Sequence, residues 1–397
     1  MSDERVEQRI REAEANPREP GGWIAASSAL ARAGRWDEAQ EAGLRAAEVD
    51  PQAATGCVLE SRAPLAVLPG DEGLSALVAA SPTRVAALRE LPFLAQPPPA
   101  LHPERRVVAG FDGERAGVGV LELEGEGPRW FELPPGGERE LKGHAVGFCG
   151  RALYVGTNGE RLLVRDLDDL DAGWSDVQLP GEEFRWGKAI DAFVLDGQRL
   201  IAVDDMILPK YCFVLDVSDP LRPAFQRVST LGAHYTYEHV NGAALGESHL
   251  AVLSAGGGMG GAYTFLAFYR RDDLEEAFHV SQRVFEPGGE ARARARAWHA
   301  VDMLGSLALV AAGVDGLGVF DASRPPAGDP QLSYVPGTAE DDVELLRAVA
   351  LPGREQVLLA QGHFDDAQLA QSSWERQHPA IVSYRLLGLE AVRAALG

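Results

Sequence analysis

Cysteine, long apolar runs and net positive charge are all scarce in this sequence, and each scarcity excludes something. Only three cysteines, Cys57, Cys149 and Cys212, occur in 397 residues. None forms a Cys-x-x-Cys pair or stands at a metal-ligand spacing from a histidine, so buried reduced thiols are expected rather than zinc modules. No run of about 18 or more uncharged apolar residues appears, so no membrane-spanning helix is expected. The amino terminus, MSDERVEQRIREAEA, is charged from its first few residues and lacks the apolar stretch of a secretory signal, which leads to the expectation of a cytoplasmic location. The formal net charge is −22, and the single basic run, ARARARA over 291–297, is too short to reverse that field. Such a surface repels phosphate backbones and anionic lipid, so neither nucleic acid nor a membrane is an expected partner. Signatures of catalysis are missing as well. There is no Gly-x-Ser-x-Gly elbow and no His-Glu-x-x-His, and the glycine-rich SAGGGMGGAY, 254–263, lacks the lysine and hydroxyl of a phosphate loop. A hairpin between two strands is the simpler reading of that stretch.

What remains is 46% hydrophobic and 24% charged, a globular balance in a chain long enough for one large domain and one small one. Residues 17–51 carry apolar residues at helical spacing on either side of a break at AGRW, which predicts two helices joined by a short turn. Gly34 stands where the first helix must end, and Pro51 stops the second. Pro17 and Pro51 are 34 residues apart (51 − 17), and with Trp23, Gly34, Trp36, Ala39 and Ala46 between them the segment resembles a tetratricopeptide repeat. It departs from that pattern at Ala26, Ser27 and Gly43. A single repeat cannot bury its own apolar face, so the helix ERVEQRIREAEA before Pro17, and helical stretches around 73–80 and 82–95, are expected to cover it. The resemblance implies a groove for a peptide or protein; an array this short could equally brace the larger domain.

Beyond the proline-rich stretch that starts at Gln96, helical periodicity gives way to short alternating runs punctuated by glycine. The clearest unit, HAVGFCGRALYVGTNGERLLVRDLDD over 144–169, reads as three strands, with WSDVQLP as a fourth. Comparable units follow, and a shorter one precedes it. Their third strands end near Glu122, Asp166, Asp216, Tyr269, Asp321 and Tyr384, successive differences of 44, 50, 53, 52 and 63 residues. Four strands per interval of that size are what a β-propeller blade needs. The phrases VLDVSDPLRP, 214–223, and VFDASRPPAGDP, 319–330, sit at the exits of two third strands, where an acidic residue and prolines turn the chain outward. With the Gly-rich hairpin before it, AAGVDGLGVFDASRPPAGDP resembles the LVIVD repeat of bacterial propellers. The expected fold is therefore mainly β: a propeller of six blades over 97–388, seven requiring another blade before Arg105, preceded by a helical tetratricopeptide-like segment over 1–96 and followed by a helix or tail over 389–397. The innermost strand of the first unit has to come from PFLAQPPPAL or from the chain's end.

Counting ten residues back from the second residue of each core strand gives His144 from Tyr154, His299 from Leu309 and Asp191 from Ile201. His239 lies two residues before the matching Asn241, and Glu344 opens the last unit. These positions start innermost strands and would line one mouth of a central channel, where imidazoles and carboxylates suit a divalent metal or acid–base work. The plainer alternative is that a repeat reuses a residue for the same local hydrogen bond. Trp186, Tyr235, Tyr237 and Trp298 lie in the connections entering these strands, as a recognition surface or as blade packing. The preferred functional expectation is a protein–protein interaction scaffold without a cofactor. The rival is a metal-assisted hydrolase or lyase with His144, Asp191, His239 and His299 at the channel.

Overall fold

Alternating apolar residues broken by glycine every few positions favour short antiparallel strands over helices, and strands dominate the computed structural model. It describes residues 3–32, 38, 41–42, 45–46, 49, 67–68, 93, 99–102, 104–112, 115–122, 127–136, 141–158, 161–179, 189–204, 210–231, 238–258, 261–284, 299–313, 316–323, 344–351, 356–363 and 380–388.

Two helices come first, α1 (Asp3–Ala15) and α2 (Pro20–Arg32). Helical backbone recurs at Glu38, Glu41, Ala42, Arg45, Ala46 and Val49, so the two expected helices of 17–51 are both represented. Val6, Ala13, Ala26, Ala42 and Ala46 are buried and Trp23 is 6% exposed; α1 and α2 approach closely where Gly22 faces Ala13. The Trp23 indole donates to the Pro17 carbonyl at 3.1 Å, and the Arg45 guanidinium lies over its ring at 4.9 Å. The expected helices around 73–80 and 82–95 and the terminal 389–397 fall outside the described residues, as does Cys57. Cys149 and Cys212 are buried free thiols, and burial pushes Cys212 up to about 12.

The described strands assemble into six antiparallel sheets, taken in chain order except that the two-residue β1 (Val67–Leu68) pairs with the last strand of the sixth. The first contains β2 (Ala100–Leu101), β3 (Val107–Gly110), β4 (Gly117–Glu122) and β5 (Arg129–Glu132). The second has β6 (Gly143–Cys149), β7 (Ala152–Thr157), β8 (Arg161–Asp166) and β9 (Ser175–Gln178). The third has β10 (Ile190–Asp196), β11 (Arg199–Asp204), β12 (Lys210–Asp216) and β13 (Ala224–Leu231). The fourth has β14 (Glu238–Leu245), β15 (His249–Gly258), β16 (Gly261–Arg270) and β17 (Glu276–Val284). In the fifth, β18 (Ala300–Leu304), β19 (Leu307–Ala311) and β20 (Leu317–Asp321) are described; in the sixth, β21 (Glu344–Leu351), β22 (Gln356–His363) and β23 (Ala380–Gly388). The innermost strand of the first sheet does come from PFLAQPPPAL, as β2. The third strands end at Glu122, Asp166, Asp216, Arg270, Asp321 and Gly388, matching four expected ends and running past the other two.

Each sheet packs its face on the next. One apolar layer joins Val118, Val120 and Phe131 of the first sheet to Phe148, Leu153 and Leu163 of the second. Others join second to third, third to fourth, fourth to fifth and fifth to sixth. The innermost strands β6, β10, β14, β18 and β21 lie side by side in that order. This is a propeller-like arrangement of antiparallel sheets, the first four of them four-stranded meanders.

The repeated phrase of the sequence has a repeated geometry. At the exits of β8, β12 and β20, the carboxylates of Asp166, Asp216 and Asp321 accept the backbone N–H two residues on, from Asp168, Ser218 and Ser323 at 2.8–2.9 Å. The next backbone N–H after each aspartate, at Leu167, Val217 and Ala322, donates 2.8 Å back to the first hairpin, at Arg151, Gln198 and Ser306. Those hairpins have two-residue turns beginning with Gly150, Gly197 and Gly305, all at positive φ between 53° and 62°, where glycine avoids Cβ strain.

Candidate functional site

The innermost strands share one irregularity. In β6, Gly143 pairs with Thr157 and Ala145 with Gly156, so His144 is an extra residue outside the ladder. Asp191 is the extra residue of β10, Asn241 of β14 and Leu346 of β21. In the fifth sheet Ala300 pairs with Ala311, and the His299 N–H donates to that same Ala311 carbonyl at 2.7 Å, which puts His299 at the same offset. A bulge bends its strand and re-aims the side chain of the added residue. The position reached by counting, His144, Asp191 and His299 with Asn241 as their match, is therefore this bulge. The sixth sheet carries Leu346 there, two residues after Glu344.

The side chains of His144 and Asp191 reach across to neighbouring sheets. His144 Nδ1 lies 3.2 Å from Asp191 Oδ1; an ionised carboxylate only accepts, so the Nδ1–H donates. Asp191 is 8% exposed and takes the Val240 N–H through Oδ2 at 3.4 Å, so one carboxylate touches the second, third and fourth sheets. Asp302 acts similarly further round: Oδ2 accepts the Ala350 N–H of β21 at 3.0 Å, and Oδ1 accepts the Met303 N–H at 2.8 Å. Arg347, one residue past the last bulge, donates to the His299 carbonyl at 3.5 Å and to that of Leu346 at 3.3 Å. Its surface is only partly covered, yet enough protein surrounds the guanidinium for desolvation to lower its pKa to about 10. Asn241 and His299 are buried too.

Because the start of each innermost strand touches the start of the next, these strands run the same way and the bulges share one end. The last residues of β5, β9, β13 and β17 and the first residues of β6, β10, β14 and β18 fall at that end. The opposite end carries the two-residue turns at Gly150, Gly197 and Gly305, and one of them is tied by charge to the next sheet. Asp196 accepts from Arg271 Nε at 3.1 Å and from Arg199, and Arg271 donates onward to the Glu247 carbonyl at 3.2 Å. Burial alone would raise the Asp196 pKa, but the hydrogen bonds from Arg271 and Arg199 outweigh it and hold the carboxyl below the usual range.

Of the residues singled out in the sequence, the structure brings His144 and Asp191 together and sets His299 at the equivalent place. His239 has its backbone opposite Ala255, and Glu344 opposite Gly362; their side chains lie outside the described residues. So do Trp186, Tyr235, Tyr237 and Trp298 entirely. Among the described residues no group of three or more His, Cys, Asp or Glu side chains could hold a metal ion. Asp302 and Arg347 were not marked out by sequence; the only signal was their place, just after a counted position.

No protein-family model matches the chain, and no curated protein matches it. A solved structure titled "YCF48 bound to D1 peptide" aligns at 12% identity over 65% of this chain and 72% of that one, with a TM-score of 0.40. A likeness so remote carries no inference about what this chain binds.

Proposed function

We propose that this chain is a protein- or peptide-binding scaffold: a six-bladed propeller of the kind the LVIVD-like phrases suggest, with a tetratricopeptide-like helical segment as a second surface, acting in the cytoplasm of a bacterium without a cofactor. The observation that supports this reading is the asymmetry between the two ends of the sheets. One end carries the two-residue turns at Gly150, Gly197 and Gly305 and the hydrogen-bonded Asp166, Asp216 and Asp321. The other has the polar bulges that brace one sheet on the next, and Trp186, Tyr235, Tyr237 and Trp298 fall in sequence between strands that end and begin there. Repeat folds commonly make recognition surfaces from the connections between their sheets, with aromatic residues as anchors. The test is affinity capture with the full chain, beside a variant carrying Trp186→Ala, Tyr235→Ala, Tyr237→Ala and Trp298→Ala. A partner held by the parent and lost by the correctly folded variant supports the reading; a partner held equally by both places binding elsewhere.

A second reading rests on the His144–Asp191 contact. An imidazole oriented by a buried carboxylate is suited to a divalent metal or to proton transfer, with His239, His299 and Glu344 as further candidates. Elemental analysis of the purified protein with a chelator control decides it. A stoichiometric metal lost on His144→Ala would favour a hydrolase or lyase over the scaffold.

A further inference from the structure

Of the four large apolar side chains that stand exposed among the described residues, Val49, Leu195, Phe225 and Val228, two belong to one strand. Phe225 and Val228 are 40% and 44% exposed and lie on β13, the outer strand of the third sheet. Three positions apart (228 − 225), they would face opposite sides of a regular strand. The ladder between β12 and β13 slips by one residue here: Phe225 pairs with Leu215 and Arg227 with Val214, which leaves Gln226 extra. Val228 then pairs with Phe213, so both exposed side chains lie on the face that Leu215 and Phe213 turn towards the second sheet. Val177 of β9 and Leu221 border the same rim, packed against the same apolar layer. The bulge thus gathers apolar surface into the outer groove between the second and third sheets, outside the buried layer.

The edge of β13 is also unguarded. Among the described residues no strand pairs with its outer side. The outer strands β5, β9 and β17 each carry an acid, Glu132, Asp176 and Glu276, of the kind that discourages a further strand; β13, AFQRVSTL, carries none. Its one charge, Arg227, faces the other way, donating to the Asp273 and Asp272 carbonyls of the fourth sheet at 3.1 and 3.4 Å. That contact sets the turn between β16 and β17, with Asp272, Asp273 and Glu275, beside the second face of β13.

We propose that the β13 edge receives an extended segment of another protein as a further strand, one whose residues are alternately apolar and basic. Apolar side chains on one face of that strand meet Phe225, Val228 and Val177, and Lys or Arg side chains on the other reach the acidic turn. A second copy of this chain fits less well. Each copy carries a net charge of −22, and a one-strand edge of eight residues offers well under the roughly 800 Å² a side that stable dimers bury. The site uses none of Trp186, Tyr235, Tyr237 and Trp298, so it stands or falls apart from the surface proposed above.

The probe is a short fluorescent peptide alternating valine and lysine, titrated into the full chain by anisotropy beside a scrambled peptide of the same composition. The alternating peptide is expected to bind at least about tenfold tighter than the scramble, and the double substitution Phe225→Ser, Val228→Ser to erase that difference. Asp272→Asn with Glu275→Gln should weaken binding and flatten its salt dependence, while Ala at Trp186, Tyr235, Tyr237 and Trp298 leaves it unchanged. A strand directs only every second N–H at its neighbour, so of two peptides N-methylated on odd or on even residues one should lose binding and the other keep it. Equal binding of alternating and scrambled peptides, or methylated peptides that behave alike, would overturn the proposal. So would a folded double variant that binds as the parent does. A parent dimer in sedimentation that the double variant lacks would assign the edge to a second copy instead. Should the double variant unfold, the methylated peptides decide the matter on the parent chain.

Discussion

Asp191 is a buried carboxylate held by two donors on two other sheets, so its removal has a defined cost. Asp191→Ala leaves the His144 Nδ1–H and the Val240 N–H without this acceptor, and stranding buried donors costs about 1–3 kcal/mol in all. His144→Ala removes only one of the contacts and should cost less. Urea denaturation of the two single variants and the double one gives the coupling directly; additive losses would show that the 3.2 Å contact contributes no stability. Trp23 stands in a similar position in the helices, with a buried ring, an indole bond to Pro17 and the Arg45 cation above it. Trp23→Ala is expected to destabilise that segment by about 3–5 kcal/mol. An unchanged far-ultraviolet melt would show that the indole supports nothing.

At the scale of elements, His102 connects the first sheet to the second. It is fully buried; Nδ1 accepts the Glu104 and Arg105 N–H groups at 3.0 and 2.9 Å, so Nε2 must carry the proton given to the Gly150 carbonyl at 2.5 Å. Burial lowers its pKa, more than the Gly150 bond raises it. The folded protein thus prefers the neutral ring, and the unfolded chain takes up a proton near about 6.5. The stability from His102 is complete above that value and is lost as pH falls from it towards the folded pKa. Thermal melts at pH 7.5 and 5.5 should show a larger loss for the parent than for His102→Gln; equal losses would mean that the ring does not titrate with unfolding. His249 is also depressed by burial but is common to both proteins, so the difference isolates His102. The same elements show what sequence could convey. Strands, turns and the counted His144, Asp191 and His299 were legible because alternation and a fixed offset are one-dimensional patterns. The bulge that gives this offset its geometry was not, since an extra residue in a ladder leaves no mark until its partner strand is known. β1 was illegible because two residues carry no period, and Phe225 and Val228, three apart, share a face only through the extra residue Gln226.

For the whole molecule the dominant fact is a net charge of −22, which folding concentrates into a small volume. The visible surface ion pairs do little to offset it: Arg105 and Asp168 meet at 2.8 Å with side chains 38% and 50% exposed, and pairs of that kind are worth about 0–1 kcal/mol. The long-range repulsion of the excess carboxylates opposes folding and acts over distances that salt screens, the Debye length falling to about 10 Å at 0.1 M. The two effects of salt have opposite signs. Screening weakens each favourable pair, which lowers stability, and it weakens the sum of the repulsions, which raises it. With 59 acidic and 37 basic side chains the repulsions outnumber what pairing can neutralise, so the second effect should win. The melting temperature is expected to rise from 10 to 300 mM sodium chloride at pH 7.5, most steeply at the low end. A fall over that range would mean that specific ion pairs, such as those of Asp196 with Arg199 and Arg271, outweigh the net field in holding the sheets together.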